Sequence, residues 1–170
     1  YGRYPHQSRR QQWQPEDEVA VQDAMLKTGL SALASRRMKS LSGGQQQRAW
    51  IAMVLAQQAG ILLLDEPINH LDLNHQVEIM DLLVDLRQQG KTLIVVLHDL
   101  NLASRYADHL VLMKQGAIVA QGAASEVLTA VKIEHAYQQP VSVVNDPVYG
   151  GPMVIPLGRH RNRTSGLRAV

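Results

Sequence analysis

Two adjacent carboxylates, Asp65 and Glu66, directly follow the continuous apolar run Ile61–Leu64. Such a run is typical of a parallel strand that is buried on both faces, and ligands of open parallel sheets bind beyond the carboxyl ends of the strands. Magnesium takes one or two carboxylates together with water and phosphate oxygens. Asp65 is therefore a candidate magnesium ligand, and Glu66 is a candidate to orient or deprotonate a water molecule. The alternative is an acidic strand end without a metal.

The second candidate for chemistry is the segment Ser42-Gly43-Gly44-Gln45. Glycines let a ligand approach the backbone closely, and the N-terminus of the helix predicted to follow offers free N–H groups and a positive dipole end. The Ser42 hydroxyl adds a donor, so the segment suits a phosphate. Ser42 and Gln45 also match a capping box, and a plain helix cap is the alternative. The occurrence of this segment together with the acidic strand end and with His98 favours the phosphate site.

Periodicity, caps and turn residues predict the elements that must position these residues. The predicted helices cover residues 16–28, 43–57, 73–89, 99–107 and 125–128. The predicted buried strands cover residues 61–64 and 92–97, and two hairpins pair 110–113 with 117–120 and 141–144 with 153–155. Strand, helix, strand and helix in succession predict an α/β fold with a parallel sheet and right-handed crossovers.

Several segments resemble the motifs of the ABC ATPases in order and spacing. They are Leu41–Arg48 (similar to the signature motif), Ile61–Pro67 (the Walker B strand), Asn69–Asp72 (the D-loop) and His98 (the switch histidine). The resemblance runs from about Tyr1 to Pro156. Within the family, Arg48–Met53 and Tyr1–His6 are most similar to ATPase subunits of importers for ferric siderophores, ferric citrate or haem.

The resemblance implies a role for each candidate residue, with ATP and Mg²⁺ as the cofactors. Asp65 would hold the Mg²⁺ shell, Glu66 would polarise the attacking water, and His98 would contact and sense the γ-phosphate. Asp72 would shape the interface between two ATPase subunits. The residues that would clamp the nucleotide of the opposite subunit are Ser42, Gly43, Gly44 and Gln45.

The resemblance also implies a P-loop NTPase-like parallel sheet with flanking helices, present here as an incomplete domain. Residues 1–40 would be part of the α-helical subdomain, and residues 41–156 the rear part of the ATPase domain, with β-hairpins at its C-terminal end. Residues 157–170 are predicted to form a disordered basic tail, because Arg159, Arg161, Arg163 and Arg168 lie there without any acidic residue.

A phosphate loop of the form Gly-x-x-x-x-Gly-Lys-Ser/Thr is absent from the sequence. Gly90-Lys91-Thr92 is the one partial match, but position 85 is an aspartate and the segment is predicted to end a helix and begin a strand. We therefore expect the intact protein to hydrolyse ATP and these 170 residues alone to be inactive. Ile68 is a smaller departure, since threonine is usual there in the family.

The resemblance further implies partners and a location. An importer ATPase would pair with a second, identical subunit, bind membrane permease subunits and depend indirectly on a periplasmic substrate-binding protein. It would be peripheral to the cytoplasmic face of the inner membrane, and no nucleic acid is expected as a partner.

Composition restricts the chemistry and leaves two other functions open. Cysteine is absent, which excludes thiolate chemistry and disulfides. The net charge is +2, and the basic tail is the one feature that favours a nucleic-acid-associated ABC ATPase. A truncated, non-catalytic remnant that binds a partner through its signature face is the other alternative.

Overall fold

The structure, a computed structural model, describes residues 1–6 and 13–158. These residues group into two compact units, the first ending at Leu97 and the second beginning at His98. The helices within the described residues are α1 (Pro15–Lys27), α2 (Gly43–Leu55), α3 (Leu73–Gln88), α4 (Leu100–Tyr106), α5 (Ala124–Val127) and α6 (Ala130–Tyr137). The strands are β1 (Ile61–Asp65), β2 (Thr92–Val96), β3 (Leu110–Lys114), β4 (Ala117–Gly122), β5 (Val141–Asn145) and β6 (Pro152–Pro156).

Local signals determine where the helices of the first unit begin and end. Pro15 is the first residue of α1, where its missing N–H costs no hydrogen bond. Ser42 caps α2 and Asp72 caps α3. Gly90 follows the end of α3 with a φ of +87°. Glycine adopts this left-handed conformation without strain, so it suits the residue that ends a helix. The helices predicted over 16–28, 43–57 and 73–89 are confirmed to within two residues.

Strands β1 and β2 pair in parallel, with Leu62 opposite Leu93 and Asp65 opposite Val96. The connection between them is α3, which packs against β2, so the predicted strand, helix and parallel strand are confirmed. Gly90 ends the helix and Thr92 begins the strand, as expected for a segment that is not a phosphate loop.

The prediction that both strands are buried on both faces is wrong for the described chain. Leu62 is 2% exposed, but the alternate residues Leu63 and Ile94 are 71% and 57% exposed. Parallel sheets need cover on both faces, and in the described part of the first unit the two-stranded sheet has its helical cover on one face. The other face therefore presents apolar side chains to solvent.

Most of the buried apolar side chains of the first unit lie on α1, α2, α3 and β1. The most buried of these side chains include Ile79, Met80, Leu83 and Leu86, which repeat at helical spacing. Leu82, predicted to share this stripe, is half-buried.

Arg3 ties the first residues of the chain to two helices. Its Nε lies 2.6 Å from Oδ1 of Asp17 in α1, and both side chains are buried. Its Nη1 donates to the carbonyl oxygen of Ala56, just beyond α2, at 3.0 Å. Gly2 packs beside it, and a Cβ at position 2 would stand 2.8 Å from that of Ala56. The segment therefore docks against the C-terminal end of α2, which sequence patterns did not reveal.

The second unit contains the two antiparallel hairpins β3–β4 and β5–β6, as predicted. The turn between β3 and β4 uses Gln115 and Gly116, both at positive φ, which suits a tight hairpin. The helix predicted over 125–128 is α5, and α6 was not predicted. The buried core of this unit consists of Leu112, Val127, Leu128, Ile133, Val141 and Val154.

The α/β class, the flanking helices and the C-terminal hairpins are thus confirmed. The domain boundaries at 40/41 and 156/157 stay predictions. The four arginines of the basic tail lie outside the described residues.

Candidate functional site

Ser42 forms a closed capping box at the start of α2. Its Oγ accepts a hydrogen bond from the Gln45 N–H at 3.3 Å, and the Gln45 Oε1 accepts one from the Ser42 N–H at 3.1 Å. Both Ser42 and Gly43 are exposed, whereas Gly44 is buried. Because Gly43 and Gly44 open the helix, their N–H groups have no intrahelical acceptor. The corner therefore combines a helix cap with a surface able to receive an anion.

Gly44 is buried against the imidazole of His75 from α3. A Cβ built at position 44 would stand 2.8 Å from the His75 Cγ, closer than real Cβ atoms come, and 3.0 Å from its Nε2. The absence of a side chain at Gly44 is thus what lets α2 and α3 meet at their first turns.

Asp72 caps α3 and binds the same histidine. Its Oδ1 accepts from the His75 backbone N–H at 3.0 Å and lies 2.7 Å from the His75 Nδ1. The backbone hydrogen bond from His75, with the ring hydrogen bond second, lowers the pKa of Asp72 below its ordinary value. Asp72 therefore favours its anionic form, and as an anion it accepts a hydrogen bond from an N–H at the His75 Nδ1.

Asp65 and Glu66 lie at the carboxyl end of β1. Asp65 is exposed and Glu66 is half-buried. Glu66 has a φ of +48° and donates its backbone N–H to the carbonyl oxygen of Val96 at 3.2 Å. Its Oε2 accepts a hydrogen bond from the Asn69 side-chain amide. Asn69, three residues after Glu66 in the turn that follows β1, thus holds the Glu66 carboxylate by a hydrogen bond.

His98 opens the second unit and is exposed. Asp99 caps α4 by accepting from the N–H groups of Asn101 at 2.8 Å and Leu102 at 2.9 Å. The cap fixes the backbone directly after His98, at the start of a helix predicted over 99–107.

The first unit brings some predicted site residues together. Gly44 and Asp72 are joined through His75, and Glu66 is joined to Asn69. His98 belongs to the second unit. The sequence predicted Asn69 only as part of the D-loop-like segment and His75 only as a helix-surface residue. Asn69 could have been found from its position three residues after a carboxylate. The His75 contact depends on how two helices pack.

No group of three or more His, Asp or Glu side chains is arranged as metal ligands within residues 1–6 and 13–158. Asp65 nevertheless suits Mg²⁺, because an exposed carboxylate at a rigid strand end supplies one hard oxygen ligand to an ion that keeps waters and binds phosphate.

Residues 3–69 match the family model described as ABC transporter. The chain is 54% identical over 159 residues to the ferric enterobactin transport ATP-binding protein FepC of Escherichia coli, covering 93% of this chain and 59% of FepC. It is 50% identical to the probable siderophore transport system ATP-binding protein YusV of Bacillus subtilis, covering 94% of this chain and 58% of YusV. A structure described as "an inward-facing conformation of a putative metal-chelate type ABC transporter" superposes with a TM-score of 0.85 at 28% identity, covering 93% of this chain and 64% of that one.

These similarities define the class that the chain resembles, the ABC transporter ATPases. Within that class its relatives are ATP-binding proteins of siderophore transport, which confirms the resemblance found in the sequence. The chain spans somewhat less than three fifths of these relatives, at 59% and 58% of their lengths. Each helix within the described residues is too short or too polar to cross a membrane.

Proposed function

We propose that the chain is part of the ATP-binding and ATP-hydrolysing subunit of an ABC importer that powers uptake of a ferric-siderophore-type iron chelate. The observation that carries this proposal is the 54% identity to FepC along 93% of the chain. The chain covers 59% of FepC, so the proposal concerns the intact protein.

The signature corner would bind the nucleotide of the opposite subunit through Ser42, Gly43, Gly44 and Gln45. The Ser42 Oγ accepts from the Gln45 N–H, which leaves its own hydroxyl proton available for a phosphate oxygen. The N–H groups of Gly43 and Gly44 and the positive end of the α2 dipole would add to the same anion seat. The exposure of Ser42 and Gly43 supports this role.

The end of β1 would provide the acidic groups of the reaction. Bound Mg-ATP would supply the phosphoryl group that is transferred to water. Asp65 would hold the Mg²⁺ shell, and Glu66 would orient the attacking water and accept its proton. The Asn69 amide holds one Glu66 oxygen, so the carboxylate keeps its direction. His98 would contact the γ-phosphate, and Asp72 would shape the subunit interface.

The uncovered face of the β1–β2 sheet supports the proposal that these 170 residues alone do not hydrolyse ATP. Exposed residues of this face include Ile61 at 60% and Val96 at 49%. An apolar face of a parallel sheet needs further polypeptide to cover it, and the sequence holds no phosphate loop. We propose that the intact protein supplies both.

The proposed partners follow from the proposed function. A second identical subunit would complete the nucleotide site, and membrane permease subunits would hold the dimer at the cytoplasmic face of the inner membrane. A periplasmic substrate-binding protein would deliver the chelate to the permease.

A chimera tests the proposal in cells. The matched 59% of FepC is replaced by this chain, and the chimera is expressed in Escherichia coli that lacks FepC. We expect uptake of ferric enterobactin to return, to be lost with Glu66→Gln, and to survive Glu16→Gln on the exposed first turn of α1. A chimera that accumulates normally yet transports nothing would contradict the proposal.

A further inference from the structure

We propose that His75 is a positioning residue. It contacts Gly44 in the signature corner, formed by Ser42–Gln45, and Asp72 at the start of α3, and it thereby fixes these two segments to each other. The inference rests on the proposed function, because it assigns to that site a part that none of the sequence motifs contains. His75 would touch neither nucleotide nor metal, and would act by fixing where the corner stands.

The contact with Gly44 is the first observation. The imidazole fills the volume that a side chain at position 44 would need, with Cγ and Nε2 both within 3.0 Å of the ideal Cβ position. The Cγ atom lies close to the backbone, so the ring cannot yield to a larger residue by a small rotation. A methyl group at position 44 would therefore expel the ring or separate the two helices.

The hydrogen bonds to Asp72 are the second observation. One carboxylate oxygen accepts from both the backbone N–H and the Nδ1 of His75, at 3.0 Å and 2.7 Å. The ring is thus held on the cap of its own helix while its other edge presses on Gly44. An anionic Asp72 keeps this arrangement, and its lowered pKa agrees with that state.

A second link joins the same helices one turn further along. The Arg48 Nη1 of α2 lies 2.8 Å from the Glu78 Oε2 of α3, and Asn74 donates to the other Glu78 oxygen at 2.9 Å. Arg48 and Glu78 maintain the pairing of the helices, and His75 maintains it at the first turn, where the exposed Ser42 and Gly43 would meet a nucleotide. Motions of the D-loop end would then be passed to the signature corner.

A double-mutant cycle on the FepC chimera tests the inference without nucleotide. Gly44→Ala, His75→Ala and the double variant are compared by thermal unfolding. We expect Gly44→Ala to lower the midpoint by several degrees in the presence of His75 and by clearly less in its absence, because the alanine methyl group then has room. Equal losses in both backgrounds would overturn the inference.

The chemical shifts of backbone amides test the inference independently of any change in stability. We expect His75→Ala to shift the Ser42, Gly43 and Gly44 amides in a ¹⁵N spectrum, whereas the control His109→Ala, at an exposed histidine of the second unit, leaves them in place. His75→Asn keeps a side-chain N–H near the Nδ1 position and should restore the Asp72 contact and part of the shifts. Unchanged amides in His75→Ala would overturn the inference even if every variant folds.

ATP turnover of the FepC chimera separates this inference from the proposed function. We expect His75→Ala to lower kcat at least tenfold, with rescue by His75→Asn. If the unmutated chimera is inactive while the cycle and the spectra behave as expected, the proposed function fails and the positioning role stands. Full turnover in His75→Ala would overturn the role.

Discussion

Arg3 and Asp17 form an ion pair of 2.6 Å in which both side chains are more than nine-tenths buried. Asp17 also accepts from the Gln14 N–H at the start of α1, at 3.1 Å. Arg3 donates in addition to the carbonyl oxygen of Ala56 and to the Gln58 Oε1, at 3.0 Å and 2.7 Å. The Arg3 guanidinium thus joins the start of α1 to the end of α2.

Arg3→Ala is predicted to destabilise the chain strongly, because it leaves the Asp17 charge buried without its cation. Breaking such a pair costs about 3 kcal/mol or more of the free energy of unfolding. The matched control is Lys27→Ala, which breaks the exposed pair with Asp23 and should cost less than about 1 kcal/mol. Urea denaturation measures the free energy of unfolding of both variants. Equal losses of stability would contradict the prediction that the buried pair contributes more than the exposed one.

Ser42 is predicted to serve as a cap and as a phosphate donor, and two substitutions separate these roles. Ser42→Ala should lower the free energy of unfolding by about 1 kcal/mol, because the Gln45 N–H loses its acceptor. Ser42→Asp should retain the stability, since aspartate caps equally well and suits the helix dipole. In the FepC chimera, however, Ser42→Asp should abolish ATP turnover by repelling phosphate. Normal turnover with aspartate at this position would remove Ser42 from the anion seat.

The stability of the second unit is predicted to fall in acid because of Asp146. Hydrogen bonds from the Val148 and Tyr149 N–H groups and the contact with Arg105 lower the pKa of Asp146 below its ordinary value, although burial opposes this shift. A carboxyl whose folded pKa is lowered stabilises the fold fully above its unfolded pKa, and this stabilisation is lost as pH falls through the folded pKa. The unfolding midpoint should therefore fall more steeply below about pH 4 in the unmodified chain than in Asp146→Asn. Parallel pH profiles would contradict the assignment.

Caps and turns were predictable from the sequence because they are set by neighbours along the chain. Ser42 with Gln45, and Gly90 after α3, occupy the predicted positions. The parallel pairing of β1 with β2 followed from the order of the elements.

Features set by packing between distant segments were not predictable. The apolar run of β1 indicated burial on both faces, but Leu63 is 71% exposed because cover depends on what packs against the sheet. The contact of His75 with Gly44 joins two helices, and Arg3 reaches residues more than fifty positions away. Neither has a period or a spacing that a single sequence reveals.

Nucleotide binding by the 170-residue chain should be weak. The sequence lacks the glycine-rich loop and its lysine, which supply the main phosphate cradle in such enzymes. Calorimetric titration with Mg-ATP should give no saturable heat at micromolar concentrations, whereas the FepC chimera should bind. Micromolar binding by the chain alone would refute this prediction.

Glu66 is proposed to act on the water that attacks ATP. The most direct measurement is single-turnover ATP hydrolysis by the FepC chimera with and without Glu66→Gln, together with its dimerisation in ATP. We predict that the variant loses turnover by a factor of about 100 or more, as expected when a general base is removed, and still dimerises with ATP. Hydrolysis at the unmodified rate would contradict the account.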